Sequence, residues 1–183
     1  KKEAEALAEK LGYAKVSEAK RDVALKIRNY VLGGGFMFAM CSATDSFDIA
    51  LSAEGVDICE PMFDGDASEP NYQSKIDYNK TFAFKDYILE RSPMVYEFSS
   101  IDMTNKRDIP KELDYFSLMD FSAKWDPIPT MLNQNHTALV KGFMGQTTAY
   151  NPEEIKANVL VLGENKANGE ARYIHGVKGK GFF

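Results

Sequence analysis

The sequence predicts an α/β protein in which helices cover a central sheet, with a second half that is richer in strands. Three observations support this class. Two helical patterns occupy the first 32 residues, a glycine triplet at residues 33–35 ends the second of them, and the run at residues 36–40 is apolar throughout. A run without alternation is typical of a central strand buried on both faces, as in a parallel sheet flanked by helices.

The first helical pattern covers residues 2–11, and Gly12 is suited to end it. The second pattern begins near Ser17, which can cap it, and carries an apolar stripe that we expect to be buried: Ala19, Val23, Ile27 and Val31. After the apolar run, Thr44 or Asp45 is predicted to cap a third, short helix that stops at Gly55.

Residues 56–80 are predicted to form a long acidic loop, because carboxylates alternate there with prolines and glycines. Beyond it the sequence predicts short strands at residues 81–89, 94–98, 115–121, 130–132, 140–143 and 159–162. Two further strands, at residues 171–175 and 181–183, flank a VKGK segment that suits a hairpin.

Composition limits the classes of function. The 183 residues fit one domain, residues 1–183, and a hydrophobic content of 44 % is enough for a core. The start within a helical pattern and the end at the opening of a strand indicate a chain that is incomplete at both ends. The net charge is -5 and the 22 basic residues are dispersed, which argues against nucleic-acid binding. No apolar run is long enough to span a membrane. The partner that we expect is a small-molecule substrate, an amide or a sugar.

Cys41 is the strongest candidate for chemistry. It follows the apolar run and precedes a helix start, the order strand, sharp turn, helix that forms a nucleophile elbow. A cysteine at a helix N-terminus is well placed to act as a nucleophile in acyl transfer, and the N–H of Ser42 would then donate to the oxyanion. Asp45 and Asp48 count against this, because they bring negative charge to the same helix; the alternative is that Cys41 is a small buried hydrophobe.

The segment resembles the class I glutamine amidotransferase-like superfamily, and within it the ThuA-like branch. The shared pattern is the glycine-started strand at residues 33–35 followed by Ala43-Thr44-Asp45. Downstream, Met62-Phe63-Asp64-Gly65-Asp66 is similar to the F-D-G step of ThuA-like domains, and residues 179–183, GKGFF, resemble the G-K-G-aromatic strand start of that branch. The stretch also resembles bacterial proteins that carry the name asparagine synthetase B.

The resemblance implies a flavodoxin-like, doubly wound sheet with its site at the carboxyl ends of the strands. It implies that a catalytic or ligand-binding histidine follows Phe183, and it places Asp64 and Gly65 in a turn at the pocket edge. ThuA-like proteins often carry histidine or another residue at the position of Cys41, so the fold does not require a thiol. The resemblance also implies a carbohydrate-related role as an alternative. ATP-dependent asparagine synthesis is not predicted, because residues 33–35 lack the Gly-Lys-Ser/Thr ending of a phosphate-binding loop.

Several other residues could contribute to a substrate pocket. Thr44 and Asp45 could line it, although helix capping is the alternative role for both. His175 lies near the predicted final hairpin and is a candidate for the pocket rim, whereas His136 lies in a polar run and is interpreted as a surface residue. Trp125 could stack on a sugar face or pack in a small core.

No metal site or cofactor is predicted. The two histidines do not form a zinc-ligand spacing with Cys41 or Cys59. The acidic loop could bind calcium through Asp64 and neighbouring carboxylates, but the spacing does not match a calcium loop, and a solvated acidic loop is the preferred interpretation.

Three hypotheses for function therefore stay open. The first is a Cys-dependent hydrolase or amidotransferase-like enzyme that uses Cys41 on an amide. The second is a ThuA-type, carbohydrate-related protein that uses the same pocket without thiol catalysis. The third is a binding or scaffold module that has kept the fold without the chemistry.

Overall fold

The structure is a computed structural model that describes residues 2–92, 94–95, 98–103, 110, 113–118, 139–141 and 148–183. It is a mixed α/β structure that divides into two compact units. Unit 1 consists of Lys1–Ser100 and Val177–Phe183, and unit 2 is Ile101–Gly176. The strand predicted at residues 130–132 lies outside the described residues, as do the last residues of the strands predicted at 115–121 and 140–143.

Unit 1 contains the helices. They are α1 (Lys2–Lys10), α2 (Val16–Leu32), α3 (Ala43–Ser52) and the single turns α4 (Pro61–Asp64) and α5 (Tyr72–Lys75). The three long helices confirm the predicted patterns, whereas α4 and α5 interrupt the segment that was predicted to be a loop. At the start of α2, the Glu18 carboxylate accepts hydrogen bonds from the N–H groups of Ala14 and Lys15, which would otherwise lack partners at a helix end.

Two details of the helices differ from the sequence prediction. The N-cap position of α3 is occupied by Ser42, whose side chain makes no capping hydrogen bond, so Thr44 and Asp45 lie inside the first turn rather than at the cap. The predicted apolar stripe of α2 is also wrong for two of its members, because Val23 and Ile27 are exposed while Ala24 and Val31 are buried. The buried face is therefore rotated by about one residue from the predicted one.

Because glycines have no side chain, the C-terminal end of α2 can lie in close contact with the last residues of the sequence. Strands β5 (Val177–Lys178) and β6 (Gly181–Phe182) form an antiparallel hairpin. A Cβ atom on Gly181 would lie 2.2 Å from the carbonyl oxygens of both Val31 and Gly35, so only glycine fits there. The approach lets Phe36 form a parallel bridge with Phe182, in which the Met37 N–H donates to the Phe182 oxygen at 3.0 Å.

This bridge is the part of the predicted central strand that the structure contains. Residues 37–40 have no regular strand hydrogen bonding, although residues 36–40 were predicted as a strand. Met37 packs against a core formed by α2, α3 and the segment at residues 81–84. The core residues are Ala24, Val31, Leu51 and Phe82, with Phe47 and Phe183 packed against them.

Asp48 joins α3 to the segment at residues 81–84. Its buried carboxylate accepts hydrogen bonds of 2.7, 2.8 and 2.9 Å from the N–H groups of Phe82, Ala83 and Phe84. The Tyr87 hydroxyl donates to the hydroxyl of Ser52 at 2.6 Å and lies 3.2 Å from the carbonyl oxygen of Asp48. Residues 81–89 were predicted as a strand, but they follow an irregular path that the carboxylate stabilises in place of a strand partner.

Unit 2 contains a four-stranded sheet. Its strands are β1 (Tyr115–Leu118), β2 (Leu139–Lys141), β3 (Leu160–Glu164) and β4 (Ala171–His175), in the order β2-β1-β3-β4. Every pairing in this sheet is antiparallel, so in the described part of the chain the parallel arrangement expected from the sequence is limited to the bridge between Phe36 and Phe182.

A fully buried ion cluster lies in unit 2. One guanidinium nitrogen of Arg172 contacts the carboxylate of Asp114 at 2.7 Å and that of Glu170 at 2.8 Å. Removing one member of such a cluster leaves an uncompensated buried charge, which is more costly than the cluster is stabilising. Substitution of one of these three residues is therefore expected to destabilise unit 2, even if the intact cluster contributes little to the free energy of folding.

The substitution Gly181→Ala tests the close approach in unit 1. We expect it to lower the free energy of unfolding by about 3 kcal/mol or more, because the new methyl group overlaps two backbone oxygens that cannot move independently. The control is Gly55→Ala, at a left-handed glycine with open space around it, which should cost only about 1 kcal/mol. Equal losses in urea unfolding would contradict the packing described.

Candidate functional site

The backbone at Cys41 is left-handed. Its φ angle is 57°, and among the described non-glycine residues only Asn71 and Asp86 share a positive φ. Asparagine and aspartate adopt this region comparatively easily, whereas it is unfavourable for cysteine. Residues held in such conformations cluster at active sites and ligand clamps. The geometry at Cys41 therefore marks the turn between residues 36–40 and α3 as the candidate site.

Hydrogen bonds hold this turn in place. The Ala43 N–H donates to the Met40 oxygen at 3.2 Å, and the Thr44 N–H donates to the Cys41 oxygen at 3.1 Å. The Thr44 hydroxyl donates to the same Cys41 oxygen at 2.7 Å. Two donors from Thr44 thus converge on the carbonyl oxygen of Cys41, and α3 begins two residues after the cysteine, at Ala43.

The polar atoms of the turn are open to solvent. Cys41 is a free, exposed thiol, so the alternative of a buried small hydrophobe does not describe it. Ser42 is also exposed, and its N–H donates no hydrogen bond among the described residues. A backbone N–H that has no internal acceptor is able to donate to a bound oxyanion.

The remaining predicted residues of α3 are less accessible. Thr44 is half-buried and Asp45 is buried in the first turn of the helix. Asp48, one turn further on, is committed to the three N–H groups at residues 82–84. The sequence prediction named Asp48 only as a nearby charge, and the signal for its structural role is weak because its partners lie 34 to 36 residues away.

Asp64 belongs to a different cluster, on the acidic segment. The Lys15 ammonium lies 3.2 Å from an oxygen of Asp57 and 3.7 Å from an oxygen of Asp64, and it forms a third ion pair with Asp66. Oxygens of the three carboxylates lie within 4.8 Å of one another, the one group of this kind in the part of the chain that the structure describes. Lys15 supplies the positive charge at this cluster, and the sequence analysis did not identify it.

A second cation fixes the same segment. The Arg91 guanidinium lies 3.8 Å from the centre of the Tyr72 ring, forms an ion pair with Glu60 at 3.0 Å and donates to the Ser68 hydroxyl at 2.5 Å. Lys15 and Arg91 therefore each hold part of residues 56–80, a segment that contains two single-turn helices and still exposes residues such as Met62 and Phe63 to solvent.

The second cysteine lies beside this cluster and differs from Cys41. Cys59 is half-buried, and burial is the largest cause that raises the pKa of its thiol to about 11. The negative charges of Asp64 and Asp57 also raise this pKa, while Lys15 lowers it. Cys59 is therefore a protonated thiol near neutral pH and is poorly suited to nucleophilic chemistry.

The predicted residues beyond unit 1 are not all described. His175 is a buried residue at the end of β4, paired in register with Leu160. Trp125 and His136 lie outside the described residues. Cys41, Ser42 and Thr44 are thus the predicted site residues that the structure brings together in one turn.

No helix among the described residues combines the length and the apolar character that crossing a membrane requires. Comparisons of the chain with protein-family models, with curated proteins and with solved structures give no match.

The substitution Asp64→Asn tests the electrostatics at Cys59. In a Cys41→Ser background, we expect iodoacetamide to label Cys59 severalfold faster near pH 9, because loss of the Asp64 charge lowers the thiol pKa and raises the thiolate fraction. Labelling is measured by intact mass at several pH values. Asp86→Asn, which removes an exposed carboxylate that pairs with Lys85, is the control and should leave the rate unchanged. An unchanged rate in Asp64→Asn would refute this assignment.

Proposed function

We propose that the protein is a Cys-dependent hydrolase or amidotransferase-like enzyme with Cys41 as its nucleophile. The observation that carries the proposal is the exposed thiol on a left-handed residue, directly before the first turn of α3. A nucleophile elbow has this arrangement, in which a strained turn projects one side chain away from the sheet and the helix.

The chemistry follows from the atoms available at the turn. The Cys41 sulfur, having lost its proton to a general base, attacks the carbonyl carbon of an amide or ester, and a C–S bond forms. The C–N or C–O bond then breaks as the leaving group takes a proton, which leaves a thioester on Cys41. Water hydrolyses the thioester, or an amine attacks it in the transferase variant, and the thiol is regenerated. The Ser42 N–H donates to the oxyanion in both steps.

The proposal extends to the fold around the site. We place the turn in a flavodoxin-like, doubly wound sheet of the class I amidotransferase-like kind, in which the segment before Cys41 runs parallel to the last strand. The bridge between Phe36 and Phe182 supports this, because it is parallel and joins the two segments that carry the sequence resemblance. The packing of α2, α3 and Phe183 around Met37 supports helices on one face of that sheet.

Alkylation tests the nucleophile directly. In a Cys59→Ser variant, we expect iodoacetamide to modify Cys41 faster than it modifies glutathione at the same pH, because the thiol is exposed at a helix N-terminus. The matched control is Cys41→Ser, which retains Cys59 and should be labelled slowly. A Cys41 rate no higher than that of glutathione would count against an activated thiol.

Trapping of the acyl intermediate tests the reaction. The protein is incubated with a panel of activated esters and aryl amides, quenched in acid and measured by intact mass. We expect an acyl adduct in wild-type protein and in Cys59→Ser, and none in Cys41→Ser. If Cys41 is alkylated rapidly but no acyl adduct forms, the thiol is reactive but does not carry out acyl transfer. If neither rapid alkylation nor an adduct is seen, the carbohydrate-related or the scaffold hypothesis is favoured.

A further inference from the structure

The two N-terminal helices leave apolar side chains exposed in two stripes. The α1 stripe consists of Leu7, which is 57 % exposed, and Leu11, which is 61 % exposed just after the helix. The α2 stripe consists of Val23 at 56 %, Ile27 at 36 % and Tyr30 at 62 %. The spacing of three and four residues places the members of each stripe on one side of a helix.

Single exposed apolar residues are normal on a protein surface, but rows of them on neighbouring helices mark an interaction surface. In α1, Ala8 is the buried residue, so the helix gains little from its contacts with the rest of unit 1. A nine-residue helix is marginal by itself in water. A partner that covers Leu7 and Leu11 would therefore stabilise α1.

The charges beside the stripes indicate which partner fits. In a helix, Glu3 lies one turn before Leu7, whereas Lys20 and Lys26 flank the α2 stripe on either side. Lys26 pairs with Asp22 at 2.9 Å, and the described residues provide no ion-pair partner for Glu3 or Lys20. Overall α1 contains three glutamates and two lysines, and α2 contains four basic and two acidic residues.

We infer that this surface binds a second copy of the chain, with α1 of one protomer on α2 of the other. The two stripes are apolar, and acidic residues outnumber basic ones in α1 whereas basic residues outnumber acidic ones in α2, so the surface is complementary to itself. A two-fold axis then forms each contact twice, which is how self-complementary patches build dimers. Apolar contacts between the stripes supply affinity, and the Glu3–Lys20 pair sets the register.

Sedimentation equilibrium of the full chain over a concentration series tests this inference. We expect a monomer–dimer equilibrium, and we expect Leu7→Glu and Val23→Glu each to raise the dimer dissociation constant by about tenfold or more. The control Asn29→Glu adds the same charge at an exposed position of α2 away from the stripe, and it should leave the constant unchanged. Circular dichroism checks that each variant retains the helix content of wild type.

Charge reversal tests the register. Glu3→Lys and Lys20→Glu should each weaken the dimer severalfold, and the two together should restore it, because the reversed pair attracts again. A wild-type chain that stays monomeric at every concentration would overturn the inference. The exposed stripes would then be explained better by binding to a different protein. A dimer that Val23→Glu and Leu7→Glu do not weaken, or that the double reversal does not restore, would also overturn it.

Discussion

Close backbone contact at Gly181 is the constraint on which the arrangement of unit 1 depends. The glycine lies so near the carbonyl oxygens of Val31 and Gly35 that no side chain fits between them. The contact brings the end of the chain against the exit of α2, and Phe36 and Phe182 can then bridge. Phe183 is placed beside Phe82, with ring centres 5.4 Å apart, and completes the core. Gly35 and Gly181, which are far apart in the sequence, thus take part in the same close backbone contact.

The Asp48 carboxylate fixes the other side of the candidate site. Three buried N–H groups at residues 82–84 depend on this one side chain, and each would cost free energy if left without an acceptor. Because α3 is anchored there and the segment before Cys41 is anchored at Phe36, the turn between them has little freedom. A left-handed cysteine persists only where surrounding contacts determine its conformation in this way.

Sequence reasoning located the turn because its signals are local. A glycine triplet, an apolar run and a helix start occur within 15 residues, and each has a physical meaning without reference to the fold. The buried face of α2 could not be predicted so well, since Val31 was correctly expected to be buried but periodicity alone does not choose between Val23 and Ala24. The contacts of α2 with α3 and β6 determine which face of the helix is buried, and these contacts are long-range in the sequence.

The same limit applies to the ionic groups and to the sheet. Lys15 reaches carboxylates 42 and 51 residues away, and nothing near Lys15 in the sequence indicates them. The antiparallel order of β1 to β4 depends on which strands pair, whereas short apolar runs predict only that strands exist. The sequence predicted a parallel sheet, whereas every pairing in the four-stranded sheet is antiparallel.

The central claim is that residue 41 is held in a left-handed turn. Comparing the stability of the variants Cys41→Gly and Cys41→Ala tests it. If φ at residue 41 is positive, the free energy of unfolding measured in urea should be about 1 kcal/mol higher for Cys41→Gly than for Cys41→Ala, because alanine is strained in that conformation. At Ser46, exposed within α3, the order should reverse and alanine should be the more stable by a similar amount. Alanine equal to or more stable than glycine at position 41 would contradict the account of the site.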